Sequence, residues 1–142
     1  MTEPAGYSQT SLPRKLGIGP EDTVALIGAP ETFIDSLGGL PEVAAVHTDL
    51  AGAELFDVIV VFVEWRAEFE AELGRLRDRM APACGLWIAW PKKASKVPSD
   101  MSDEVIREVV LPTGLVDNKV CAIDETWSAL RLVIRRANRA SR

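Results

Sequence analysis

Only two cysteines and a single histidine stand in this 142-residue chain. Cys84 and Cys121 lie far apart, without CxxC spacing and beside apolar neighbours, which disfavours a disulfide framework and suits buried thiols in a reducing compartment. His47 ends an apolar run and reads as a packed or hydrogen-bonded side chain. No Ser–His–Asp or Cys–His set can be assembled around it, and no metal site is implied. Long hydrophobic runs are also missing. No segment approaches the ~20 apolar residues that span a bilayer, and residues 1–13 carry no apolar leader core, so a cytoplasmic protein with no membrane partner is expected. Positive charge is not in excess either. Sixteen Lys and Arg against 21 Asp and Glu give a net charge of −5, which makes nucleic acid a poor partner.

What is present suits one packed domain. The chain is 47% hydrophobic and long enough for a single core, but too short for two ordinary domains. Residues 1–15 read as a flexible arm, 16–135 as the domain and 136–142 as a basic tail. Thr23–Ile27 is a short apolar run of strand type, and Phe33, Ile34 and Leu37 follow at helical spacing. Pro30 suits the first turn of that helix and Gly38-Gly39 its end. Val43–His47 reads as a second strand. Val58–Val63, rich in β-branched residues and apolar on both faces, reads as a central parallel strand.

Between Trp65 and Met80, the positions Phe69, Leu73, Leu76 and Met80 make one apolar face of a helix, closed by Pro82 and Gly85. Leu86–Trp90 then forms a fourth strand that stops at Pro91. Ser102 is the expected N-cap of a helix whose buried face is Val105, Ile106, Val109 and Val110, stopped by Pro112 and Gly114. Leu115–Ile123 and Ala129–Ile134 read as two strands joined around Asp124–Trp127. Strands that alternate with helices in this way predict an α/β fold: a Rossmann-like three-layer sandwich, its sheet mostly parallel, with a C-terminal antiparallel hairpin.

In such sheets ligands bind outside the carboxyl ends of the strands. There an apolar strand releases Pro91-Lys-Lys-Ala-Ser-Lys96, and Lys92, Lys93 and Ser95 become candidates for holding a carboxylate or phosphate, with Trp87 and Trp90 as an aromatic base. The plainer reading is a solvated loop. Asp124 and Glu125, beside Trp127, would meet the lysines if both joints share an edge; a turn or salt bridge is the plainer role. Gly28, in the first strand-to-helix turn, and Asp49, past the second strand, are weaker candidates for a nucleotide. Pro30 removes an N–H from that turn and Glu31 adds a negative charge, so a pyrophosphate loop is not supported. Arg131, Arg135, Arg136, Arg139 and Arg142 form a C-terminal basic cluster without acidic residues among them.

The segments Ala5–Ser8, Lys15–Ile18, Leu26–Pro30, Leu86–Ser95 and Val120–Ser128 together resemble an uncharacterised actinobacterial family, domain-of-unknown-function family 3052, over nearly the whole chain. That resemblance implies a small Rossmann-like domain in the cytoplasm and marks the Trp-Pro-Lys-Lys-Ala-Ser and Asp-Glu-Thr-Trp blocks as family features. The inferred sheet also resembles a class I methyltransferase core, but the acidic and glycine-containing loop that binds S-adenosylmethionine there is absent from Ile27–Thr32. The function expected is a non-catalytic binding or regulatory module for an anionic small molecule or an acidic protein partner, with no cofactor. The alternatives are an enzyme acting on a small anionic metabolite, with Asp124 or Glu125 as acid or base, and a degenerate S-adenosylmethionine methyltransferase-like domain that keeps a nucleoside at Gly28 and Asp49.

Overall fold

The computed structural model describes residues 11–37 and 45–135. In chain order the elements are α1 (Leu12–Lys15), β1 (Thr23–Ile27), α2 (Glu31–Ser36), β2 (Ala45–His47), β3 (Phe56–Phe62), α3 (Arg66–Asp78), β4 (Met80–Pro91), α4 (Asp103–Val110), β5 (Leu115–Ala122) and β6 (Trp127–Ile134). Short 3-10 turns follow β4 at Lys93–Ser95 and α4 at Leu111–Thr113. The sheet has six strands in the order β2-β1-β3-β4-β6-β5. β1 to β4 are parallel, and β6 enters antiparallel to both β4 and β5, giving the mixed sheet with a C-terminal hairpin that the strand and helix pattern predicts.

β3 lies inside the sheet because its side chains have nowhere else to go. Val58, Ile59, Val60 and Val61 are all buried, on alternate faces. Ile59 and Val61 join Phe69, Leu73 and Leu76 of α3 and Ile106 and Val110 of α4 in one core. Val58 and Val60 join Leu16, Phe33 and Leu37 in the other. The sandwich is therefore three-layered, with α3 and α4 on one side and α1 and α2 on the other. As expected, Ser102 caps α4, its hydroxyl accepting from the Val105 N–H at 3.1 Å.

Several boundaries move from where the sequence places them. β4 starts at Met80, where the apolar spacing extends the preceding helix, and α3 ends at Asp78. Pro82 is tolerated because the β3–β4 register shifts between Phe56 and Val58, so a residue without an N–H sits where the ladder is irregular. β6 begins at Trp127, two residues before the expected start at Ala129. Of the arm expected over residues 1–15, the described part is not extended: α1 closes through the Gly17 N–H to the Arg14 carbonyl and the Ile18 N–H to the Pro13 carbonyl, with Gly17 at φ +79. This paired pattern ends a helix with glycine in the left-handed region. Gly38-Gly39, residues 43–44 of the second strand and the tail arginines Arg136, Arg139 and Arg142 lie outside the described residues.

Arg79, which no sequence pattern singles out, is the buried charged residue among those described. Its guanidinium donates to the carbonyls of Leu50 and Glu54 and to the Glu54 carboxylate, and stacks 4.9 Å from the centre of the Phe56 ring. It fastens the β2–β3 loop. His47 lies against the same group, 3.4 Å from Glu54 and edge-on to Phe56, which is the packed role expected for it. No helix among the described residues is long and apolar enough to cross a membrane.

Candidate functional site

The carboxyl edge of the parallel strands collects the turns after β1, β2, β3 and β4, together with the β5–β6 turn. The lysine loop and the Asp124–Trp127 turn meet there, because Pro91 of β4 is the register partner of Trp127 of β6. Beyond that pair the Lys92 N–H donates to the Thr126 carbonyl at 2.8 Å. The two joints thus share an edge and a backbone bond. Their charges do not pair, however: none of the ion pairs among the described residues includes Lys92, Lys93, Asp124 or Glu125.

The polar atoms of the two turns are engaged locally. Asp124 Oδ1 accepts the N–H groups of Thr126 and Trp127, each at 2.8 Å, and so shapes the hairpin turn. Ser95 Oγ donates to the Lys92 carbonyl at 2.6 Å and accepts from the Val97 N–H at 3.3 Å. It closes the 3-10 turn that presents the exposed Lys93. Glu125 is exposed, and Lys92 is half-buried.

The tryptophans divide between the faces. Trp87 and Trp90 are three residues apart on one strand, so they point to opposite sides: Trp87 into the α1/α2 core and Trp90 into the α3/α4 core. They do not form the shared aromatic base expected beneath the lysines. Trp127 instead packs edge-on against Phe62 at 5.0 Å, and Phe62 against Phe33 of α2 at 4.8 Å.

That aromatic row links the β5–β6 turn to the β1 turn. Gly28 is exposed at φ +67, and a Cβ there would come within 3.3 Å of the Phe62 carbonyl oxygen, so glycine is favoured on two counts. Pro30 occupies the N-cap of α2, a helix of six residues with Glu31 in its first turn. Asp49 is exposed two residues past β2, and its Oδ1 accepts from the Ala51 N–H at 3.0 Å. Gly28 and Asp49 therefore follow neighbouring strands on the ligand edge.

One edge residue went unread in the sequence. Trp65, directly after β3 and its continuation Val63-Glu64, is 44% exposed. An aromatic shortly after the apolar run Val58–Val63 was the available signal. The turn beside it is firmly held: Glu68 Oε1 accepts the N–H groups of Glu64 and Trp65, Asp100 Oδ1 accepts that of Arg66, and Ser99 Oγ donates to the Glu64 carbonyl. Hydrogen bonds to Glu70 and Glu108 raise the Arg66 pKa further. Both cysteines are free and buried. Burial, with the Asp57 charge adding, pushes the Cys84 thiol up to about 12; burial also raises Cys121, against the charges of Lys15 and Lys119. Neither is a thiolate nucleophile near neutral pH. Among the described residues no group of three His, Cys, Asp or Glu is placed to hold a metal.

Neither a family model nor a curated relative matches the chain, so the resemblance to domain-of-unknown-function family 3052 rests on the segments quoted above. Solved structures do match. A putative type 11 methyltransferase from Sulfolobus solfataricus superposes with a TM-score of 0.61 at 11% identity, over 87% of this chain and 89% of that one. The DhpI–SAH complex gives 0.60 at 13%, over 88% and 82%. A ribosomal protein L11 methylase from Lactobacillus delbrueckii subsp. bulgaricus gives 0.54 at 11%, over 86% and 74%. The fold is that of a class I methyltransferase core. At such identities the likeness extends to the architecture of the methyltransferase fold, whose β1 turn here departs from a glycine-rich loop.

Proposed function

We propose that this chain is a binding domain on a methyltransferase fold, whose ligand is an adenosyl compound of the S-adenosylmethionine type held at the crevice beside the end of β1. The observation that carries the reading is topological. The chain leaves β1 for β2 on one side and continues to β3 on the other, and open α/β sheets take their ligands where connections diverge in this way. Gly28 and Asp49 follow the neighbouring strands that flank that crevice, and Asp49, exposed, offers a carboxylate to ribose hydroxyls. Glu31, at the head of α2, repels a phosphate but is compatible with a cationic sulfonium. The same residues thus disfavour a dinucleotide and leave a nucleoside with a positively charged substituent.

The proposal is for binding. Methyl transfer needs an acceptor held in line with the donor, and Asp124, the acid–base candidate, has its Oδ1 committed to the hairpin turn. Calorimetric titration with S-adenosylmethionine and S-adenosylhomocysteine tests the reading. Saturable binding is expected, weakened about tenfold or more by Asp49→Ala, the scale of a lost hydrogen bond to a charged group. Absence of binding at millimolar ligand, or an unchanged affinity in Asp49→Ala, would rule it out.

A second reading is favoured by the rigid presentation of Lys93 on a turn fixed at Ser95 and at the Lys92–Thr126 bond, with neither lysine ion-paired. It makes the lysine turn a grip for an anionic small molecule or an acidic protein surface. Under that reading the loss on Lys92→Ala with Lys93→Ala exceeds the loss on Asp49→Ala.

A further inference from the structure

Away from the sheet edge, on the face that carries α1 and α2, a cavity of about 210 Å³ opens between α1 and the β5–β6 hairpin. Its wall includes Arg14 and Lys15 from α1, Asn118 and Lys119 from β5, and Arg131 from β6, around the indole of Trp87. Four of these are cations and no carboxylate among the described residues lines the space, in a chain whose net charge is −5. Concentration of one sign of charge over an apolar floor is the arrangement that focuses an attractive potential on an anion.

The fold holds these charges in place in several ways. Trp87, fully buried, donates its Nε1–H to the Leu16 carbonyl at 2.9 Å and so fixes the end of α1 over β4. Gly17, at φ +79, ends α1 and itself lines the cavity. Lys119 and Arg131 are register partners in the hairpin and therefore project to the same face. Arg131 lies across Gly85: a Cβ at that position would meet its Nε at 2.5 Å and its Nη2 at 2.9 Å. Asn118 Oδ1 accepts from Arg131 Nη1 at 3.3 Å, which leaves the Asn118 amide N–H groups as additional donors. Arg14, Lys15 and Lys119 take part in none of the ion pairs among the described residues.

We propose that this cavity is a binding site for a phosphate-bearing anion, best matched by a diphosphate group, distinct from the ligand edge and independent of the reading given for it. The volume lies below the roughly 300–1,000 Å³ of pockets that enclose drug-sized ligands, so it takes the anionic group and leaves any attached organic part outside. Guanidinium and ammonium groups arriving from three elements satisfy several phosphate oxygens at once, which a single carboxylate does not require. An acidic protein needs no other anion site for bulk charge balance; convergence over one buried indole is what separates this cluster from solvated surface lysines.

The test is a titration of the full chain with inorganic pyrophosphate, followed by heteronuclear NMR at the Trp87 indole N–H and by calorimetry, with inorganic phosphate, adenosine diphosphate and a single-stranded oligonucleotide as parallel arms. Saturable pyrophosphate binding that shifts the Trp87 signal is expected, tighter than for phosphate. Lys15→Ala with Lys119→Ala should weaken it at least about tenfold and Lys119→Glu alone should do the same, whereas Lys92→Ala with Lys93→Ala should leave it unchanged. Adenosine diphosphate binding as well as pyrophosphate identifies the end of a larger ligand, and weaker binding identifies the free anion; either supports the site. The proposal is overturned if millimolar pyrophosphate fails to saturate, if the Lys15 and Lys119 variants bind normally, if the Lys92 and Lys93 variant is the one that loses binding, or if only the oligonucleotide binds. Because Asp49→Ala reports on the edge and Lys15→Ala with Lys119→Ala on the cavity, failure at one leaves the other standing.

Discussion

Against one face of the sheet lie α3 and α4, which bury Phe69, Leu73, Leu76, Ile106 and Val110 in the larger core; against the other lie the four-residue α1 and the six-residue α2, which contribute Leu16 at the end of α1, Phe33 and Leu37. The first face is filled by apolar stripes from helices long enough to carry them. The second has short helices over β1 and β3, and the hairpin on that side turns Lys119 and Arg131 toward a cavity instead of toward a helix. Uneven cover therefore has a functional consequence. Where helices end early, polar side chains from distant segments can gather over the sheet without being buried.

The largest effect that tests this contrast comes from paired truncations. Phe69 and Phe33 are both fully buried, one on each face. Phe69→Ala should destabilise by about 3–5 kcal/mol, since thirteen-residue α3 cannot follow the lost ring, and Phe33→Ala should cost less because a short α2 relaxes into the space. Urea denaturation of both variants checks the order; equal losses would mean the faces are equally rigid.

Next in size is the contrast between the thiols, Cys84 in the α3/α4 core and Cys121 in the other. Cys84 is raised from 9.0 to about 12, so its folded state keeps a proton that the unfolded chain releases. Its contribution is complete below pH 9 and is lost as pH rises toward 12, a decline on the order of a few kcal/mol that Cys84→Ala should flatten in denaturation curves taken across that range. A thiol reagent at mildly alkaline pH should modify Cys121, which has Lys15 and Lys119 nearby, faster than Cys84. Equal rates would show that the thin face protects as well as the thick one.

The smallest effect sharpens the comparison most. Gly85→Ala places a methyl group against the Arg131 guanidinium and should cost about 1 kcal/mol by overpacking while displacing one cation from the cavity. Pyrophosphate affinity should fall with little loss of stability. Unchanged affinity would remove Arg131 from the site.

Much of the fold was legible because its signals are local. The β-branched run of β3, the apolar spacing of Phe69, Leu73 and Leu76, and the Ser102 cap each act within a turn or a strand. The sequence left it open whether Lys92 and Asp124–Trp127 share an edge, and the antiparallel pairing of β6 with β4 brings them together. Less legible was the work done by individual side chains there: Asp124 and Ser95 have their oxygens bonded inside their own turns, and the Trp87–Trp90 pair is split by the two-residue period of the strand. Arg79 gave no pattern at all, since its partners Leu50 and Glu54 are set by how a loop folds back.

The order of elements, the three layers and the glycine-poor β1 turn are properties of the chain itself, fixed by periodicity, turn chemistry and the absence of a backbone N–H at Pro30. Tertiary structure decided which charges meet. Arg14 and Lys15 reach Lys119 and Arg131 only because Trp87 anchors the end of α1 and Gly85 leaves room for a guanidinium. Side chains separated by most of the chain become neighbours through packing, a relation that spacing along the sequence does not encode.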